Sequence, residues 1–162
     1  MNNTRRSLVV ALVTVVLALL ACKAAPPKEA KIGETVTFDD STWVVVSATN
    51  IGGELTGITG NKKTAGKFVK VEFKITNTGK KDESILDHPK VIDDQDREFR
   101  PMDDQSLYIP QPEQTLTLES LPPSIMKRFS AIYELPADAK GLRFEARELA
   151  AFGKKQKVAL GI

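Results

Sequence analysis

The chain has 162 residues, of which 41% are hydrophobic and 27% are charged, a composition typical of one globular domain. Arg5 and Arg6 are the charged residues of the first 21 positions, and the rest of the chain carries 21 basic against 21 acidic residues. Nucleic-acid affinity comes mainly from neutralising phosphates, so we expect no nucleic-acid partner. One cysteine cannot form an internal disulfide, and one histidine leaves little material for a histidine-based triad.

The N-terminus has the layout of a secretory signal peptide. A short stretch containing Arg5 and Arg6 precedes an apolar run over 8–20. Residues 8–22 would form a helix of roughly 22 Å, shorter than the ~30 Å hydrocarbon core of a bilayer. A signal peptide is therefore favoured over a permanent transmembrane span.

The residues Leu19, Leu20, Ala21 and Cys22 resemble a bacterial lipobox. In lipoproteins with this motif the cysteine becomes the first residue of the mature chain, its thiol carries a diacylglycerol, and its amine is usually acylated too. The resemblance implies lipidation at Cys22, and more than one acyl chain gives stable membrane attachment. The alternative is that Cys22 is a small apolar residue at the end of an uncleaved anchor or of an ordinary signal peptide.

Three parts follow from this organisation. Residues 1–21 are predicted to be a lipoprotein signal peptide, and 22–31 the lipidated cysteine with a short disordered tether, because proline, alanine and charged residues fill 23–31. Residues 32–162 are predicted to form one domain, which is long enough to bury a core of its own.

The dominant hydrophobic period beyond the tether is two. The clearest strand is 69–76, where apolar and polar residues alternate. The same reasoning predicts strands at 35–38, 42–49, 115–119, 128–135, 142–147 and 156–160, and short helical turns around 103–107 or 137–140. Many short strands separated by turn residues argue for an antiparallel sandwich or barrel, with Trp43 at the centre of its core.

Five segments resemble a bacterial telokin-like domain family of unknown function. They are 67–81, 91–99, 121–123, 129–139 and 156–160, and together they span most of 31–162. That family is immunoglobulin-like and similar in fold to a secreted mycobacterial immunogenic protein. The resemblance implies an all-β, immunoglobulin-like antiparallel β-sandwich, with no catalytic residues and no cofactor to carry over.

Two positions depart from the family pattern. Asp96 stands where glycine is common in the acidic turn, and Pro123 stands where glycine usually follows the proline. Both departures concern local turn types.

The acidic turn is the first candidate for chemistry. Asp93, Asp94 and Asp96 offer hard oxygen ligands that suit Ca²⁺, although the turn lacks the glycine and the terminal glutamate of an EF-hand loop. A solvated hairpin turn explains the same residues more simply, because aspartate tolerates turn conformations.

His88, Met102 and Met126 form a second candidate, since imidazole and thioethers suit Cu(I). The simpler interpretation places His88 in a turn before Pro89 and Met126 in the core as a filler.

Catalysis is not expected. There is no G-x-S-x-G motif, and the carboxylate pairs Asp103 with Asp104 and Asp93 with Asp96 lie in loops where both acids stay ionised. The lysines of 154–157 are interpreted as edge-strand protection, with an anionic membrane surface or a phosphate as the alternative. Residues 50–67 are predicted to be the longest irregular segment, either a recognition loop or a plain linking loop.

The sequence therefore predicts a lipid-anchored lipoprotein of the bacterial envelope, on the periplasmic or surface side, with a non-catalytic binding domain. The membrane, through Cys22, and an envelope protein are the expected partners. A lipoprotein that binds calcium or copper is the alternative.

Overall fold

The computed structural model describes residues 29–85, 87–110, 113–116, 120–149 and 153–162. The predicted signal peptide, the lipobox with Cys22, and the tether up to Lys28 lie outside the described residues. Ala30 and Lys31, which we predicted to be tether, instead form the first strand of the domain. Within the described ranges, no helix has the length and apolar character needed to cross a membrane.

The described elements are eleven strands and one 3-10 helix. In chain order they are β1 (Ala30–Lys31), β2 (Thr35–Thr37), β3 (Ser41–Gly57), β4 (Gly60–Asn77), β5 (Glu83–Ser84), β6 (Lys90–Ile92), β7 (Glu98–Phe99), the 3-10 helix Gln105–Leu107, β8 (Ser120–Leu121), β9 (Met126–Leu135), β10 (Arg143–Arg147) and β11 (Lys155–Ala159).

Two sheets pack face to face. The front sheet has the order β2-β3-β4-β9, and the back sheet has the order β1-β11-β10-β6-β7. β5 and β8 form a separate two-stranded ladder, and of the ladders between described strands only β1 with β11 is parallel. The predicted all-β sandwich is confirmed.

The core lies between the two sheets. On β4 the four apolar residues of the predicted strand, Val69, Val71, Phe73 and Ile75, are fully buried. Trp43 is 1% exposed and stacks on Phe73 with ring centroids 5.8 Å apart, which confirms its predicted place in the core. Burial of such aromatic side chains is a major source of stability in a sandwich of this size.

The prediction of an irregular segment over 50–67 is wrong. β3 and β4 continue past the sandwich as an antiparallel ribbon that turns at Ile58 and Thr59. Register shifts between Val45 and Ser47, and twice more between Asn50 and Glu54, interrupt the alternation of apolar and polar residues. Because such shifts hide the period of two, the segment reads as a loop in the sequence.

A second apolar cluster supports this ribbon. Leu55 and Phe68 of the ribbon pack with Met102, Ile109 and Ile132 on the outer face of the front sheet. The 3-10 helix lies between Met102 and Ile109 of this cluster in the chain, and it confirms the short helical turn predicted around 103–107.

The other predicted helical turn, around 137–140, is a non-helical turn. In the predicted strand over 115–119, Thr115 forms a single isolated bridge to Ser130, and 117–119 lie outside the described residues.

Candidate functional site

The acidic turn is held together by an arginine. Asp93 is fully buried, and its carboxylate accepts hydrogen bonds from the backbone N–H groups of Gln95 and Arg97 at 3.0 and 2.9 Å and from Arg97 Nε at 2.6 Å. Burial alone would raise the pKa of Asp93, but these donors outweigh it and hold the pKa below its usual value. The simple picture of a solvated turn is therefore wrong for Asp93.

Asp96 takes part in an ion pair. Its carboxylate lies 3.0 Å from a guanidinium nitrogen of Arg143, and its backbone has a positive φ of 57°, a conformation that glycine adopts most readily. Asp94 is exposed. Among the described residues, no group of three or more His, Cys, Asp or Glu side chains is arranged to hold a metal ion. This geometry favours a structural role for the turn over a calcium site.

The structure brings together only two of the three predicted copper ligands. His88 and Met102 line one cavity of about 280 Å³ beside the 3-10 helix, together with Asp103 and Gln105. Met126 lies elsewhere, at the start of β9, and is 53% exposed, so its interpretation as core filler is wrong.

A set of interacting charges on the outer face of the front sheet was not predicted from the sequence. Lys70, Glu72 and Lys74 alternate with buried residues of β4 and therefore point outward. On the neighbouring strand β9, Ser130 lies opposite Glu72 and Arg128 lies opposite Lys74. We call the outward-facing residues Lys70, Glu72, Lys74, Met126, Arg128 and Ser130, together with Glu113, the front-face cluster.

Glu113 joins this cluster from outside the sheet. Its carboxylate lies 2.5 Å from Lys70 Nζ and accepts a hydrogen bond of 2.6 Å from the Ser130 hydroxyl. Desolvation would raise the pKa of Glu113, but Lys70 and Ser130 lower it further than desolvation raises it, so the group stays ionised at neutral pH.

A cavity of about 570 Å³ opens over this cluster. The residues that line it are Glu72, Glu113, Gln114, Met126, Lys127, Arg128, Phe129 and Ser130. Lys70 and Lys74 of the cluster lie outside this lining. Its volume lies within the roughly 300–1,000 Å³ typical of small-molecule sites, and six of its eight lining residues are polar or charged. We call it the front-sheet cavity.

The sequence predicts the β4 residues of this site but not the residues that other parts of the chain contribute. The alternation over 69–76 already puts Lys70, Glu72 and Lys74 on one face. The rest depends on the pairing of β4 with β9 and on the position of Glu113, which are contacts between residues far apart in the chain.

The lysines near the C-terminus take part in ion pairs on the back sheet and its margin. Lys155 pairs with Glu145 at 3.0 Å, and Lys154 pairs with Asp39 at 2.7 Å. β1 pairs with only the last two residues of β11, so the start of β11 lacks a β1 neighbour on that side. This position is compatible with the predicted edge protection.

Comparison with known proteins identifies relatives by fold. Neither a protein-family model nor a curated protein sequence matches the chain. The structure is similar to that of the yjhA protein from Bacillus subtilis, with a TM-score of 0.64 and 18% identity, covering 80% of this chain and 98% of that one.

Two further similar structures bear on the expected fold. MPT63, a secreted protein from Mycobacterium tuberculosis, matches with a TM-score of 0.50 and 11% identity, covering 83% of this chain and 96% of that one. A candidate lipoprotein from B. subtilis, ycdA, matches with a TM-score of 0.51 and 12% identity, covering 81% of this chain and 39% of that one. The predicted similarity in fold to a secreted mycobacterial protein is confirmed.

Proposed function

We propose that this chain is a lipid-anchored lipoprotein of the bacterial envelope, located on the extracytoplasmic side, whose β-sandwich is a non-catalytic binding domain. The observation that carries the proposal is the position of Cys22. It is the only cysteine of the chain, and it directly follows Leu19, Leu20 and Ala21 at the end of a basic and apolar leader.

Two relatives by fold support this location. MPT63 is described as secreted and ycdA as a candidate lipoprotein, and both share the sandwich architecture of this chain. The front-sheet cavity supports a binding role, because it lies on a sheet whose opposite face packs on the core. Attachment through Cys22 would confine the domain to one membrane face and raise its effective concentration toward a partner there.

Replacement of Cys22 tests the anchor. In cells that express the full chain, Cys22→Ala should abolish the incorporation of labelled palmitate and leave unprocessed precursor. Lys23→Ala, which keeps the cysteine and changes the next residue, should be lipidated and processed like the wild type. Normal maturation of the Cys22→Ala variant would contradict the proposed anchor.

An envelope protein partner is tested by crosslinking in intact cells at native expression, with the Cys22→Ala chain as control. A single partner that is crosslinked reproducibly to the wild type, and lost with the anchor, is the expected result. Equal crosslinking of the same protein to the unanchored variant would contradict a role for confinement at the membrane.

A copper-binding lipoprotein is the second candidate, and the shared cavity of His88 and Met102 favours it. An imidazole and a thioether are ligands that Cu(I) accepts. The full-length chain should then compete with a chromogenic chelator for Cu(I). His88→Ala should remove this competition. Met126→Leu should not, because Met126 lies outside the cavity that His88 and Met102 line. Undiminished competition by the His88→Ala variant would exclude this site.

A further inference from the structure

The front-face cluster carries more positive than negative charge. Lys70 is shared between Glu72, at 3.4 Å, and Glu113, at 2.5 Å. Arg128 also pairs with Glu72, at 2.5 Å. Three cations, with Lys74 included, therefore face two carboxylates on this part of the sheet.

Lys74 and Arg128 account for the excess of positive charge in the front-face cluster. They lie directly opposite one another on β4 and β9, and like charges in this position repel. Within the described part of the chain, no carboxylate lies within ion-pair distance of Lys74. Glu72 engages only one of the guanidinium nitrogens of Arg128, and the Arg128 side chain is 57% exposed, so most of its five N–H donors face solvent.

Apolar surface flanks these two cations. Met126 precedes Arg128 on the same face of β9, lines the front-sheet cavity and is 53% exposed. Val44 of β3 lies opposite Lys74 on the other side and is partly buried. An unbranched, polarizable methionine on an open surface is suited to contact with a flexible apolar body.

We propose that the outer face of the front sheet, beside the front-sheet cavity, binds an anionic amphiphile. Its carboxylate or phosphate is held by Arg128, which lines the cavity, and by Lys74, which lies opposite Arg128 and outside the cavity lining. Its apolar body packs on Met126 and Val44. The guanidinium of Arg128 presents a planar fork that suits both oxyanions, and Lys74 adds a second point charge. Bound anions would relieve the repulsion between the two cations. Glu113 and Glu72 line the cavity as well and repel an anion, so the anionic group binds on the Lys74 side of Arg128.

This inference rests on the proposed binding function and names its ligand class. The probe is decanoate at concentrations below its critical micelle concentration. Both apolar clusters lie entirely within 30–160, so the chain from residue 29 contains the whole core and is used in detergent-free solution. A cooperative thermal melt of each variant verifies its folding. Calorimetric titration of the wild type should show saturable binding that weakens as salt is added, because the two cations are partly exposed.

Four variants assign this binding to the sheet face around Lys74, Arg128 and Met126. Lys74→Gln, which removes no described ion pair, should weaken decanoate binding about fivefold, and Lys74→Glu should weaken it more than tenfold. Lys140→Gln removes one exposed lysine from the loop at the far end of β9 and should bind as the wild type does. Met126→Gln should weaken the binding of decanoate and leave that of inorganic phosphate unchanged.

Four outcomes would overturn the proposal. They are the absence of saturable decanoate binding, equal affinity of the Lys74→Glu variant, equal affinity of the wild type for a decyl-trimethylammonium cation, and binding to phosphatidylglycerol vesicles without binding to monomeric decanoate. Stronger binding of monomeric decyl phosphate than of decanoate would support it and identify phosphate as the preferred head group. None of these results depends on Cys22, so failure here is distinct from failure of the anchor.

Discussion

Arg97 Nε donates a 2.6 Å hydrogen bond to the buried carboxylate of Asp93, four residues earlier in the same turn. The same guanidinium also reaches Asp138 in the loop between β9 and β10, at 3.2 Å. Two turns at one end of the sandwich are therefore tied together through one side chain, and the ionised form of Asp93 is part of the structure.

Asp93→Asn should destabilise the domain because it removes the negative charge that Arg97 contacts in a buried site. We expect the melting temperature to fall by roughly 5–10 °C at neutral pH. Asp94→Asn, at the exposed neighbouring position, is the matched control and should melt within about 2 °C of the wild type. Equal melting temperatures for the two variants would contradict the structural role of Asp93.

Acid should remove the stabilisation that the ionised Asp93 carboxylate provides. The pKa of Asp93 in the folded domain lies below its ordinary value of 3.8, so its stabilisation is fully present above that value and is lost as the pH falls through the lower folded pKa. Urea unfolding at about pH 7 and about pH 3 should therefore show a wild-type advantage over Asp93→Asn that shrinks in acid. A constant difference at both pH values would argue that the carboxylate charge plays no part.

The acidic turn shows which features the sequence predicts and which depend on long-range contacts. The sequence predicts a turn at 93–96, where three of the four residues are aspartate, because aspartate favours turn conformations. The burial of Asp93 was not readable, since it depends on Arg97 folding back and on Arg143, from a distant strand, donating to the Asp93 carbonyl. Local propensity predicts the turn, whereas long-range contacts decide its electrostatics.

The strands, too, were predicted where the local pattern is regular and not predicted where it is interrupted. The buried alternation on β4 predicted that strand and its inward face correctly. The ribbon that β3 (Ser41–Gly57) and β4 (Gly60–Asn77) form past the sandwich was not predicted beyond residue 50. Only one side of its outer part is covered, by the segment that contains Met102 and Ile109. Partial cover of this kind leaves no regular apolar pattern in the sequence.

Gly66→Ala tests the tight contact between β4 and the end of β9. A Cβ atom at Gly66 would lie 2.0 Å from the carbonyl oxygen of Leu135, which is backbone and cannot turn away. We expect a loss of about 1–3 kcal/mol in the free energy of unfolding, measured by urea titration. Gly53→Ala, whose new Cβ would lie 3.6 Å from Thr64 O, should be nearly neutral, and equal losses for both variants would refute the steric explanation.

Tyr133 connects the two sheets by a buried hydrogen bond. Its hydroxyl donates to the carbonyl of Pro89 at 2.9 Å, and burial raises the pKa of the phenol, so it stays protonated. Tyr133→Phe should cost about 1–3 kcal/mol in unfolding free energy, because the Pro89 carbonyl then has no donor. Tyr108→Phe should have a smaller effect, since the described residues offer no hydrogen bond to its hydroxyl. A larger loss for Tyr108→Phe would reverse this assignment.

Asn77 organises the turn after β4 from a fully buried position. Its side-chain amide donates to the carbonyls of Lys81 and Leu121, both at 2.7 Å, and accepts from Gly79 N–H at 2.8 Å. Asn77→Leu should destabilise the domain by about 3 kcal/mol or more, because three backbone groups lose their partner. Asn50→Leu, at an exposed site, should cost less than about 1 kcal/mol in the same chemical denaturation.

The short first strand has a mechanical consequence for a chain tethered at its N-terminus. β1 is joined to β11 by two residue pairs, Ala30 with Val158 and Lys31 with Ala159, whereas fourteen pairs join β3 to β4. If the chain is anchored at Cys22 as proposed, tension would enter the fold at Glu29 and load these two pairs first. We therefore expect β1 to detach under a pull that the front sheet withstands, which would lengthen the tether while the front-sheet cavity keeps its shape.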